Sequence, residues 1–402
     1  MGIKYVIVAV LAVSLSGCTM KLPGASDAPT TTASVQGSLW KTSDGGKSFE
    51  AKSKIDDKTT ITKADILSVA YHPTKKGIIY VGSVENGIFK TEDAGESWAP
   101  ISFPPKRIYS FILDRKDPDT RMFASGVVDG WGKIFRTDDG GEKWDPVYTE
   151  PGQQAMVTAL AQHWVDTNVI FAGTSTGTVV KSVDSGDTWK NVGNRINGII
   201  ADFAFDSKNK MVVNLLTYGQ KIFYSNDGGL IWLDWEEEKQ KEVAAIQKRA
   251  SDISQSASTN PKQTEALQKE SQRLQKAAQA LSERNQKNKM PQGIVSLAAD
   301  PTDSGVLYAG TGTGFFRSPD FGKYWYELNI IESAKTFSIR SIAINPRDSK
   351  ELVFVAGKAF YKSIDRGETW AVTGLSVNRD ASFVSYDPFD SKYLFVGLRN
   401  FK

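Results

Sequence analysis

Carboxylates paired with hydroxyls are the most frequent chemistry-bearing groups in this chain. Asp44, Asp93, Asp139, Asp184, Asp227, Asp320 and Asp365 each follow a Ser or Thr by two residues, and each precedes a Gly by two and a Trp or Phe by five. An Asp and a hydroxyl at that spacing accept hydrogen bonds from backbone N–H groups of their own turn. Gly permits the positive φ the turn needs, and the aromatic ring fills apolar space between neighbouring units. The pattern therefore reads as a structural fastening. His72 and His163 have no Cys, His or carboxylate at ligand spacing, so neither is expected to bind metal or move protons. Gly310-Thr-Gly312-Thr-Gly314 joins two strand patterns and opens no helix, which makes it a turn rather than a phosphate loop. The set that suggests binding is cationic. Arg107, Arg195, Arg340 and Arg379 stand just before or early in strand patterns of four different repeats. Four guanidinium groups brought together would hold a carboxylate-rich peptide or an acidic glycan. Trp131 and Tyr218, in Gly-containing turns, are either aromatic contact residues to go with them or packing for the rim of the ring.

These residues need a frame that repeats as the boxes do. The interval is about 45 residues, which marks a stacked repeat with one supersecondary unit per copy. Before the Asp93 box, Ile66-Leu-Ser-Val-Ala-Tyr-His-Pro73 alternates as a strand. Ile78-Ile-Tyr-Val-Gly82 follows, Gly87-Ile-Phe-Lys90 leads into the box, and a last strand starts at Trp98. Four short strands per box predict an all-β, seven-bladed propeller over residues 37–402. The chain opens with half a blade, Ser38-Leu-Trp-Lys41 and its box, and residues 381–398 supply the other half. Joining the halves seals the ring and removes open sheet edges.

One interval is longer, between Trp232 and Ser318. Residues 236–289 are rich in Gln, Lys, Glu and Ala and lack Gly and aromatics. Val243, Ile246, Ala250, Ile253 and Ala257 recur at threes and fours, and Leu267, Leu274 and Leu281 at heptads, with Pro261 between the two runs. An antiparallel helical hairpin with a coiled-coil seam is predicted. Connectivity from an outer to an inner strand predicts it on the face away from the boxes, beside the arginines.

At the start of the chain, Lys4 precedes an apolar run from Tyr5 to Leu15 and then Leu15-Ser16-Gly17-Cys18. The run is short for a membrane span and reads as an export signal over 1–17. Leu-Ser-Gly-Cys resembles the lipobox of bacterial lipoproteins, which implies a lipid on Cys18, the only cysteine. Residues 18–36, rich in Pro, Ser, Thr and Ala, then read as a disordered tether. The expected place is extracytoplasmic, held to a membrane by the lipid; in a two-membrane organism Thr19 after the cysteine resembles outer-membrane sorting. The composition, 40% hydrophobic and 24% charged with net charge +3, is that of a globular domain and gives no nucleic-acid signal.

The seven boxes resemble those of the Asp-box (BNR) propellers. These include sialidases, sortilin-type receptors, xyloglucan-cleaving enzymes and the photosystem II stability/assembly factor family with its bacterial relatives. The resemblance implies boxes between the third and fourth strands of each blade, on the face opposite the usual ligand site. It also implies what an enzyme would need. The Arg-Ile-Pro strand of sialidases is absent, and xyloglucan-cleaving relatives place catalytic carboxylates across two propellers where this chain has one. The reading that follows is a non-catalytic, lipid-anchored propeller that binds or helps assemble a protein partner in the cell envelope, without metal or cofactor. The alternative is a glycan-binding or glycoside-hydrolysing propeller.

Overall fold

The structure, a computed structural model, describes residues 37–401 apart from 106, 220 and 260–262. The signal, Cys18 and the tether lie outside the described residues. Seven antiparallel four-stranded sheets form the seven blades of a propeller. Their inner strands are Ile66–Tyr71, Ser110–Leu113, Val157–Gln162, Ile200–Phe205, Ile294–Ala299, Ile339–Ile344 and Asp380–Tyr386. Second strands such as Ile79–Ser83, Ile170–Thr174 and Leu352–Ala356 are buried along their whole length, because a neighbouring blade covers each face. Outer strands are short and exposed. The ring closes as predicted: Leu39–Thr42 pairs with Leu394–Arg399, Trp40 opposite Val396, so the two chain halves share one blade.

Apolar residues fill the wedges between blades. Between the fifth and sixth blades in that order, Phe315, Phe354, Tyr361 and Trp370 pack ring on ring at 4.6–5.4 Å. Around the channel each inner strand presents a free edge, and hydroxyls staple these edges blade to blade. Thr158 Oγ1 donates to Ile200 O (2.6 Å), Ser296 Oγ to Ile339 O (2.6 Å) and Ser382 Oγ to Ile66 O (2.9 Å). Ser110 Oγ accepts from Leu160 N–H (2.9 Å).

The boxes are fastenings of the expected kind. Ser182 Oγ accepts the Gly186 N–H (2.8 Å) and donates to Asp184 Oδ1 (2.8 Å). Asp184 accepts the Thr188 N–H (2.9 Å) and hydroxyl (2.6 Å). Those Thr188 bonds, with the Ser182 hydroxyl, hold its carboxyl at about 2. Gly186 has φ 84°, and a Cβ there would meet Phe123 of the preceding blade at 2.4 Å. A second repeat signal precedes each box by one residue and reaches the next box. Lys41 Nζ donates to Ala94 O (2.8 Å), Lys181 Nζ to Gly228 O (2.8 Å), and Lys362 Nζ to Gly45 O (3.0 Å). A basic residue stands there in six of the seven repeats. The exception is Tyr224, where the helical arm docks.

The arm is the predicted antiparallel pair, α1 (Trp235–Thr259) and α2 (Thr264–Lys287). Ala250, Ala257 and Ala278 are buried in its seam, and Ser271 Oγ donates to Ala250 O (2.7 Å). Its position corrects the prediction. The arm is rooted against the Asp320 box of the following blade, on the box side of the rim. Trp235 Nε1 donates to Phe321 O (2.9 Å), Lys239 Nζ reaches Lys323 O (3.2 Å), and Tyr324 donates to Asn285 Oδ1 (3.0 Å). The physical reason is the outer strand before it, Leu233–Asp234. Two residues do not carry the chain across the blade, so α1 starts beside the box turn.

Candidate functional site

The inner strands decide where polar groups face the channel. Five of them bulge at their second residue and Asp380–Tyr386 at its third, and a bulge re-aims a side chain. Arg340 is the extra residue of one such bulge, between Ile339 and Ser341. Its guanidinium carbon lies 3.4 Å from the centroid of the Phe401 ring, with Arg399 5.4 Å from the same ring. Such cation–π stacking holds the segment 399–401 beside it.

The four arginines do not form one basic mouth. Arg379 is buried and is a closing latch: its guanidinium donates to Gly37 O (2.6 Å), Thr62 O (2.7 Å), Ala64 O (3.0 Å), Ser38 Oγ (2.7 Å) and Asp65 Oδ1 (3.2 Å). Those carbonyls lie where the shared blade meets its neighbour and lack strand partners, so a multi-donor cation satisfies them. Arg107 is exposed and paired with Glu85 (2.5 Å) beside an open groove of about 420 Å³.

Arg195 lines a groove, and Tyr218 is bonded to a residue at its edge. Arg195 Nε donates to Thr176 O (2.8 Å), leaving the rest of its guanidinium over a groove of about 400 Å³ between Ser175–Thr176 and 195–199. Tyr218 N–H donates to Ile199 O (2.8 Å) and its side chain is 73% exposed. Trp131 is half-buried, at the turn formed by Asp129 and Gly130 with φ 53° and 78°. All three belong to connections at the strand ends opposite the boxes.

Sequence reasoning did not name what lines the channel. A cavity of about 730 Å³ is lined by the box-side halves of all seven inner strands, with Phe111, Leu160, Phe203, Ile342 and Val384 as apolar wall. Arg115 lines it, and burial pushes its guanidinium below the ordinary value. Asp202, on the inner strand Ile200–Phe205, is open to solvent yet deep within the ring. Burial pushes its carboxyl up to about 6, against the stabilising Phe203 N–H at 2.8 Å. Neither forms an ion pair among the described residues. A lone charge inside an apolar strand pattern was the available signal for Asp202.

The histidines are acceptors. His163 Nδ1 takes the N–H groups of Val165 (3.1 Å) and Asp166 (3.0 Å), and its Nε2 contacts Lys210 O (3.0 Å). His72 Nδ1 takes the Lys75 N–H (2.9 Å). The same position after the inner strand is Asp114, Asp206, Asp300, Asn345 and Asp387 in the other blades, each capping its own turn. Among the described residues no cluster of three His, Cys, Asp or Glu is placed to hold a metal ion, and no helix is long and apolar enough to cross a membrane.

Comparison with known proteins agrees with this architecture. Residues 132–301 match the family model described as sortilin, neurotensin receptor 3. The fold is similar to the GH74 xyloglucanase from Xanthomonas campestris, with TM-score 0.58 and 15% identity over 84% of this chain and 51% of that one. It is similar to YCF48 bound to a D1 peptide, with TM-score 0.55 and 14% identity over 83% of this chain and 93% of that one. YCF48 from Cyanidioschyzon merolae gives TM-score 0.55 and 12% identity, covering 83% and 95%. This chain thus spans about half the length of the xyloglucanase. No curated protein matches it in sequence. At such identities the likeness carries the fold, and fold alone does not carry function. Fold and boxes agree with these likenesses: the chain is a seven-bladed β-propeller with an Asp box in each blade.

Proposed function

We propose that this propeller is a non-catalytic binding module that holds a protein partner on the face opposite its boxes, in the cell envelope, with its N-terminal lipid on Cys18 as anchor. The observation that carries the reading is the groove at Arg195. Arg195 lines it with Ser175, Thr176 and residues 196–199, and the exposed Tyr218 is bonded to Ile199 at its edge. A guanidinium suits a carboxylate on a peptide, and an exposed aromatic supplies contact area. YCF48, of nearly this chain's extent and fold, has a solved form bound to a D1 peptide, and that supports a peptide as ligand here.

Affinity recovery from envelope extract tests it, using wild type and an Arg195→Ala/Tyr218→Ala variant. Partner recovery should fall at least ~tenfold in the variant, the size of losing one central anchor, with an unchanged melting temperature. Equal recovery would refute the assignment of this face. Turnover of xyloglucan or a sialoside by the purified wild type would replace it with the glycan-active reading. For the anchor, Cys18→Ser should abolish labelling by a fatty-acid probe; persistent labelling would remove the lipid.

A further inference from the structure

The box-side face of two consecutive blades departs from the polar character of the other boxes. The two residues after the box glycine are Lys-Ser, Glu-Ser, Glu-Lys, Asp-Thr, Lys-Tyr and Glu-Thr in six boxes, and Leu230-Ile231 in the one at Asp227. Leu230 is 61% and Ile231 56% exposed. Around them the adjoining turns bring Trp164 (40%), Val165 (52%), Val183 (64%) and Met211 (43%) to the surface. These six are nearly half of the thirteen large apolar side chains exposed among the described residues. Contacts join the two blades: Trp164 Nε1 donates to Asp206 O (2.8 Å) at the head of the turn that carries Met211. Gly228 N–H in turn donates to Met211 O (2.9 Å). The indole is thereby fixed by its polar edge. Lys208 and Lys210, on that same turn, are exposed and form no ion pair among the described residues. Asp166 nearby accepts the Asn168 N–H (3.3 Å).

We infer that this patch is a membrane-docking surface that rests its loop tips in the interface of an anionic phospholipid bilayer. Protruding Trp, Leu, Ile and Met suit the headgroup–acyl boundary, and unpaired lysines beside them suit anionic headgroups. The choice of a bilayer rests on the reading of Cys18 as lipidated. Eighteen tether residues, 19–36, span at most about 60 Å, so the folded domain stays within that distance of the surface that holds the anchor. The Arg195 groove, at the opposite strand ends, would then face away from the membrane.

The test uses residues 18–402 with Cys18→Ser, so that vesicle binding is read without the lipid and apart from fatty-acid labelling. Every contact described here lies within residues 37–401. Co-sedimentation is measured with phosphatidylcholine vesicles with and without phosphatidylglycerol. Wild type should sediment with the anionic vesicles. Leu230→Glu/Ile231→Thr, which gives this box the residues its counterparts carry, should bind at least ~tenfold more weakly at an unchanged melting temperature. Lys208→Glu/Lys210→Glu should lose the phosphatidylglycerol-dependent part and its salt sensitivity. Failure of the wild type to sediment, or equal sedimentation of the box variant, would overturn the proposal. So would a concentration-dependent dimer in solution that the box variant abolishes, because the patch would then belong to a second copy of the chain. A failed fatty-acid labelling with intact vesicle binding would remove the anchor and leave the patch.

Discussion

At the scale of single residues, hydrogen bonding to backbone explains most of the polar side chains. Asp184 serves two donors of Thr188 and one of Ser182, so Asp184→Ala should cost about 1–2 kcal/mol, as at other capping positions. Chemical denaturation would show it, and the effect should appear without loss of partner recovery. His163 makes stability pH-dependent. Burial lowers its pKa below the ordinary value, and its Nδ1 must stay unprotonated to accept two N–H groups. The unfolded chain therefore binds the proton first. The stability contributed by neutral His163 is complete above about pH 6.5 and is lost as pH falls through the lower native value. His163→Asn keeps an acceptor, as Asn345 does in its blade, and should flatten the melting temperature between about pH 7 and pH 5. A profile as steep as wild type would show that another group titrates. Spacing gave the histidines no ligand partners, and their acceptor role needed the seven aligned turns.

At the scale of elements, the arm is a built joint and not a loose loop. Lys239 is buried between Glu236 Oε1 (2.6 Å) and Lys323 O, and the Trp235 ring stacks on Tyr224 at 4.9 Å. Shortening the hairpin across residues 243–281 should leave the melting temperature near wild type, because the joint remains. Replacing residues 236–289 should lower it by several degrees, roughly 4 °C per 1–2 kcal/mol in a chain of this size. Equal melting temperatures for the two deletions would show that the joint adds no stability. The hairpin and its seam were legible because heptad spacing is local. Its place was not, since that depended on an outer strand of two residues and on which neighbour's box lay beside it.

At the scale of the whole molecule, the ring is held by its closing blade. Arg379 satisfies five acceptors there, so Arg379→Ala leaves buried carbonyls unpartnered and should destabilise by about 2–4 kcal/mol. Thermal melting checks this, and near-wild-type stability would show that water replaces the latch. The sequence alone determined the blade count, the closure by shared strands, the box fastenings and the helical pair. Each of these repeats along the chain or depends on neighbours within a few residues, so spacing encodes it. Tertiary structure decided what depends on residues distant in sequence. It turned Arg379 from a surface cation into a latch, set Arg340 under Phe401, and put Tyr218 at the edge of the groove that Arg195 lines. It also gathered Trp164, Met211 and Leu230 on one face. A propeller brings a point from every blade to each of its ends, and only closure of the ring fixes which side chains meet there and which are consumed in holding it shut.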